Sequence, residues 1–227
     1  MLTGVALLLG DTVEVAAADG YKLAIQGLPI AFAVEGMDQV IIPAGVVRVL
    51  AHLWNKTPRI APLSSSLVSV ITAKKPLELA LTQVRLRARF GAVTLVATLI
   101  EGNPPNFRQL IPEDTPLTVR VFAPELERAV RRVQAVAKDG ESIVRLAWSE
   151  DTMTVSARSA EREAETTVPV TAEGGSGKTA LNVSYLLGYL RGKEGLVEMG
   201  ARDEKSPVLF RYGSSPLVLI MPMFVQW

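Results

Sequence analysis

The chain has 227 residues, room for one large domain or two small ones. Its 24 Lys and Arg against 23 Asp and Glu leave a formal charge of +1, which excludes nucleic-acid binding by bulk charge but not by charge gathered on one surface. Hydrophobic residues at 48% supply a core and exclude chain-wide disorder, while the lack of cysteine and a single histidine, His52, leave disulfides, thiol chemistry, Cys-ligated metals and Ser-His-Asp catalysis without their parts.

The opening MLTGVALLLGDTVEV has no basic n-region and passes into alternation, so it reads as a strand and not a signal peptide. No apolar run reaches the ~20 residues that span a bilayer. Strands are predicted at Thr12–Ala16, Val84–Phe90, Val93–Leu99, Ile143–Trp148, Met153–Ala157 and Val208–Tyr212, where apolar residues alternate or β-branched residues cluster between turn signals. Gly10-Asp11, Asp19-Gly20, Gly91, Glu150-Asp151 and Gly213-Ser214-Ser215 supply the turns. Helical spacing marks Ala44–Trp54, and Pro124–Lys138 with Leu126, Ala129, Val130 and Val133 on one face. Asn182–Leu190 opens on a capping residue. Many short strands with few helices make an α+β architecture of antiparallel sheets.

The order of elements repeats. Ser142–Val170 lies on Leu2–Ile30 as strand, acidic turn, strand, polar turn and strand, and Thr179–Leu190 lies on Val40–Leu53 as a strand feeding a helix. The second copy has a front section, Leu117–Glu141, with a strand and the basic helix; the first has no counterpart.

Ala172–Thr179, AEGGSGKT, satisfies a loose phosphate-loop pattern centred on Lys178. Such a loop needs a helix starting at the Lys, but the nearest helix start is Asn182, so a flexible Gly-Ser loop is the favoured reading. Arg48 and His52 share a face of the first helix, and Arg128, Arg131 and Arg132 share the polar face of the second. Each set reads either as a phosphate-facing patch or as a solvated face. Glu161, Glu163 and Glu165 alternate as a solvent row would. The ending SPLVLIMPMFVQW is strongly apolar; methionines around a proline suit an adaptable groove for a partner peptide.

AADGYKLA (Ala17–Ala24), IEGNPPNFRQLIP (Ile100–Pro112), NVSYLL (Asn182–Leu187) and LIMPM (Leu219–Met223) resemble, in order, landmarks of the bacterial sliding clamp, the beta subunit of DNA polymerase III. The resemblance runs from Leu2 to Met223. It implies a DNA-clamp fold of tandem repeated domains, antiparallel sheets each with up to two helices: residues 1–113 as the middle domain without its opening helix, and 114–227 as the C-terminal domain. It implies a non-catalytic, cytoplasmic processivity factor without cofactor or metal. Such a factor encircles double-stranded DNA without reading sequence and tethers the replicative polymerase. Its implied partners are the DNA polymerase III alpha subunit, the clamp loader and other proteins with a clamp-binding motif, with no membrane. Arg48, His52, Arg128, Arg131 and Arg132 are the implied DNA-facing residues.

In the family a short hydrophobic peptide enters a pocket whose matching positions are Leu2, Gly20, Tyr21, Lys22, Leu23, Pro105, Gln109, Leu110, Pro207, Leu219, Ile220, Met221, Pro222 and Met223. Leu2 and Leu23 read equally well as core residues. Ala18 stands where the family commonly has Thr, Gln109 where Arg is frequent, and FVQW where the end is usually basic-aliphatic. Family rings are dimers of three-domain chains, so the expectation is a fragment of a longer chain that would close a homo-oligomeric ring at full length. A ring of three two-domain chains is the other possibility. Two readings from other classes stand beside this one: a phosphate-loop nucleotide-binding protein using Lys178, and a clamp-like structural module without replication function.

Overall fold

The structure is a computed structural model that describes residues 3–28, 37–56, 59–60, 73–74, 77–90 and 92–227. In chain order the elements are β1 (Gly4–Leu8), β2 (Val13–Ala18), β3 (Lys22–Leu28), β4 (Gln39–Pro43), α1 (Ala44–Lys56), β5 (Arg59–Ile60), β6 (Ala73–Lys74), β7 (Leu77–Leu81), β8 (Arg85–Phe90) and β9 (Val93–Thr98). A 3-10 turn at Phe107–Leu110 follows. Then come β10 (Leu117–Phe122), α2 (Ala123–Asp139), β11 (Ile143–Trp148), β12 (Thr152–Arg158), β13 (Glu163–Glu173), β14 (Gly177–Asn182), α3 (Val183–Leu190), β15 (Leu196–Ala201), β16 (Val208–Arg211) and β17 (Leu217–Ile220). They fall into two compact units, Met1–Ala17 with Gly27–Pro105, and Ala18–Gln26 with Asn106–Trp227. Residues 18–26 group with the second unit because β3 pairs with β17, Leu23 standing opposite Leu219.

In the first unit β1 pairs antiparallel with β2 on one side and β4 on the other. Helix α1 leaves β4 directly, and the Ala44 amide donates to the Thr3 carbonyl at 2.9 Å. Its apolar stripe, Val46, Val47 and Leu50, packs on Met37, Val40, Ile42, Leu86 and Leu99. Strands β7, β8 and β9 form an antiparallel meander.

The second unit repeats the theme. β11 pairs with β12 on one side and β14 on the other, and α3 leaves β14 as α1 leaves β4. The repeat read from the sequence is thus present as strand pairing. Among the described residues β13 is the longest strand, at 11 residues. Its first part pairs with β12 and its last part with β10, so one strand carries the pairing from β11-β12 to β10-β15-β16-β17. Helix α2 covers this sheet with Leu126, Ala129, Val130, Val133 and Ala137, all buried. A helix with one apolar stripe and a charged opposite side must seat that stripe on the sheet. α3 starts at Asn182, whose side-chain oxygen accepts from the Ser184 amide at 2.9 Å and the Tyr185 amide at 3.4 Å. That satisfies two of the amides a helix start leaves unpaired.

The glycine-rich stretch differs from expectation in one respect. Gly174-Gly175-Ser176 is a tight connection between β13 and β14, and Gly174 sits at φ +85°. A Cβ there would lie 1.9 Å from the Pro116 carbonyl oxygen, so the backbone is packed against its neighbour and does not hang as a loose linker.

Candidate functional site

Two sequence motifs far apart in the chain meet as adjacent strands in the second unit. β17 pairs antiparallel with β3, setting Val218 opposite Ala24 and Ile220 opposite Lys22. The Met221 amide extends the ladder by donating to the Tyr21 carbonyl at 2.8 Å. The DGYK turn is fixed locally. Asp19 Oδ1 accepts from the amides of Tyr21 at 3.1 Å and Lys22 at 2.8 Å, and Gly20 takes φ +95°, a conformation open to glycine. Helix α3 brings the third motif alongside. The Tyr185 pKa is raised first by burial and then by the nearby Asp19 carboxylate.

The fourth motif supplies a wall. The 3-10 turn buries Phe107 and leaves Gln109 and Leu110 exposed. Gln109, Leu110, Pro207 and Met221 then border a groove of about 410 Å³, with Ile111, Pro112, Glu113, Arg202 and Ser206 completing it. Met221 is 40% exposed and Tyr21 57% exposed, both large apolar surfaces offered to solvent. Arg202 is held against Asp114 through its Nε at 2.8 Å.

The candidate residues divide by burial. Leu23, Leu219 and Ile220 are core residues, so their side chains support the site from below and do not present a contact surface. Gly20, Tyr21 and Met221 are exposed, and Lys22, Pro207, Pro222 and Met223 are half-buried. Burial lowers the Lys22 pKa, partly offset by Asp19. Pro105 is exposed and belongs to the first unit. Leu2 lies outside the described residues. Tyr185 and the Arg202–Asp114 pair were not singled out as site residues from sequence, because contacts between distant residues leave no local pattern, and Asp19 read there only as part of a turn.

Arg48 and His52 are exposed on α1 of the first unit. Arg128, Arg131 and Arg132 are exposed on α2 of the second. Arg131 pairs with Glu127 at 2.6 Å, and Arg132 Nη1 lies 3.5 Å from the Thr166 hydroxyl.

Lys178 is on strand β14 and no helix begins at it, so the phosphate-loop geometry is not built. Its Nζ instead lies 3.5 Å from Glu204 and 4.7 Å from the centre of the Trp227 ring. Arg145 flanks the same ring at 6.0 Å, and its Nη2 donates to the Gln226 carbonyl at 3.1 Å. The Met223 amide donates to the Ala180 carbonyl at 2.7 Å, fastening the apolar tail along β14. Glu163 and Glu165 are exposed on β13, as a solvent row would be, while Glu161 precedes the strand.

The family described as "DNA polymerase III beta subunit, C-terminal domain" matches residues 108–223. The chain belongs to the DNA polymerase III beta subunit family. The beta sliding clamp of Escherichia coli (strain K12) is 24% identical over 218 residues, covering 94% of this chain and 55% of that protein. The beta sliding clamp of Pseudomonas aeruginosa is 27% identical over 182 residues, covering 80% of this chain and 45% of that protein. The crystal structure of the P. aeruginosa DNA polymerase sliding clamp superposes with a TM-score of 0.83 at 26% identity, covering 98% of this chain and 59% of that one. The beta subunit of Thermotoga maritima shares the fold, with a TM-score of 0.84 at 21% identity and 58% of that chain covered. The chain therefore has the clamp fold, α+β with antiparallel sheets, and it spans about half the length of the curated relatives it matches. No helix among the described residues is long and apolar enough to cross a membrane.

Proposed function

We propose that the chain acts as the middle and C-terminal domains, residues 1–113 and 114–227, of a sliding-clamp processivity factor. In this reading it is non-catalytic, works in the cytoplasm, and contributes to a ring around double-stranded DNA. It tethers the DNA polymerase III alpha subunit, the clamp loader and other partners through a short hydrophobic peptide. The observation that carries the reading is the convergence of Gln109, Leu110, Pro207 and Met221 on one groove of the second unit, with Tyr21 bonded to the Met221 amide and Leu23, Leu219 and Ile220 buried on the same paired strands. An apolar floor with an exposed, rotatable methionine and proline-fixed backbone suits a linear hydrophobic ligand. The arginines of α1 and α2 supply phosphate contacts without base reading.

The test is a titration of the purified chain with a fluorescent peptide carrying two leucines and a phenylalanine. Met221→Asp places a charge in the groove and is expected to weaken binding at least about tenfold, a loss of about 1.4 kcal/mol. Binding that is absent, or indifferent to Met221→Asp, sinks the groove assignment. Nucleotide binding lost in Lys178→Ala would revive the phosphate-loop alternative.

A further inference from the structure

Strand β8 alternates arginine with apolar residues: Arg85, Arg87 and Arg89 are exposed, while Leu86, Ala88 and Phe90 are buried. The two-residue period sets three guanidinium-bearing side chains on one face of the β7-β8-β9 sheet at intervals of about 6.8 Å. The register completes that face. On β9, Thr98, Val96 and Thr94 stand opposite Arg85, Arg87 and Arg89, and on β7 Ala80 stands opposite Arg87. All four neighbours are exposed. Glu78 stands opposite Arg89. The side chains of Arg85 and Arg87 have no hydrogen bond or ion pair among the described residues.

A solvated sheet face usually mixes its charges, because like charges on neighbouring same-face positions repel. Here the β8 row is all arginine, and the acid set against it, Glu78, stands opposite Arg89, so that Arg85 and Arg87 face neutral residues on the paired strands. A polyanion laid on the face would convert that repulsion into attraction. Guanidinium groups and threonine hydroxyls are both phosphate donors. The described face carries no aromatic side chain, so it lacks the stacking platform by which proteins hold single strands. We infer that the exposed face around Arg85 and Arg87 is a binding surface for the phosphate backbone of duplex nucleic acid, in addition to the arginines of α1 and α2. It is independent of the peptide groove.

The experiment is fluorescence anisotropy of the full chain with a labelled DNA duplex across a salt series. Variants are Arg85→Gln with Arg87→Gln, the same pair changed to Lys, and Arg128→Gln with Arg132→Gln. The β8 glutamine pair is expected to reduce the slope of log K against log salt by about 1.8, two phosphates' worth of released counterions. The lysine pair is expected to hold the slope, and the α2 pair to lower it additively. An unchanged slope in the β8 glutamine pair overturns the inference. So does a loss confined to a labelled single strand, or displacement of a bound polyglutamate peptide with duplex binding intact. Peptide titration at the Met221 groove runs beside it, so failure here is distinguishable from failure of the clamp reading.

Discussion

Tyr189 carries a hydroxyl into a dry place. The residue is 3% exposed, its ring lies 4.8 Å from that of Phe210, and the buried hydroxyl makes no hydrogen bond among the described residues. Burial, and to a lesser degree Tyr212, raises its pKa above the ordinary value of 10. The unfolded chain gives up this proton near pH 10 and the folded chain only at higher pH. Above pH 10 the folded state therefore binds more protons, and stability falls as pH climbs. Tyr189→Phe is expected to leave stability at neutral pH unchanged or raise it by about 1 kcal/mol. It should also flatten the alkaline loss in urea midpoints measured across pH 10. A clear loss of stability at neutral pH would mean the hydroxyl has a partner. Backbone demands are as local. Gly174→Ala drives a methyl into the Pro116 carbonyl from a positive-φ position and is expected to cost about 1–3 kcal/mol in chemical denaturation. Asn182→Ala removes the α3 cap, for about 1 kcal/mol. The cap was legible in NVSYLL, because a side-chain oxygen before a helix acts on its own next few residues. The packing of Gly174 was not, because its neighbour Pro116 is remote in sequence.

Helix α2 separates stability from binding on its two faces. Leu126 is fully buried, and Leu126→Ala is expected to cost about 2–5 kcal/mol through lost contacts and a cavity. Arg131 is exposed and its i,i+4 pair with Glu127 is worth only about 0.3–0.5 kcal/mol. Arg131→Gln should thus keep the melting temperature while weakening duplex binding in anisotropy; a large thermal shift would contradict the solvent-facing assignment. Among the described residues, α1 and α2 were legible from apolar spacing, since a 3.6-residue stripe is written in consecutive residues, and α3 from its capping residue. The pairing of β13 was not. One strand serving β12 and then β10 is decided by partners on both sides, and its sequence reads as one long alternation. The β8 arginines were visible as letters, but their meaning depends on β7 and β9 supplying neutral neighbours to Arg85 and Arg87.

For the whole molecule, a charge of +1 does not mean a uniform surface. Arginines gather on β8 and α2, while the groove around Met221 is largely apolar. Two binding activities with different physics should therefore separate under one variable. Raising salt should collapse duplex binding by counterion release, and leave hydrophobic-peptide affinity nearly constant. Equal salt sensitivity of the two would argue that the peptide is held by charge. The repeated order of elements and the four clamp landmarks carried the fold. The sequence could not show that residues 18–26 pack with the second unit, because that depends on β3 pairing with β17 near the other end of the chain.

The seat of Trp227 gives the molecule a built-in optical gauge. Its half-exposed ring lies within reach of both Lys178 and Arg145, and cations near an indole alter its emission. The segment from Met221 to Trp227 is tied down through the Met223 amide, so a ligand that displaces Met221 pulls on the same short stretch that holds the indole. Trp148, 5% exposed, sits in the core, and Trp54 lies on α1 of the first unit, so both are expected to emit as a constant background. Peptide binding should therefore appear as a change in unlabelled tryptophan fluorescence that vanishes in Trp227→Phe, turning an unusual chain ending into a readout of groove occupancy.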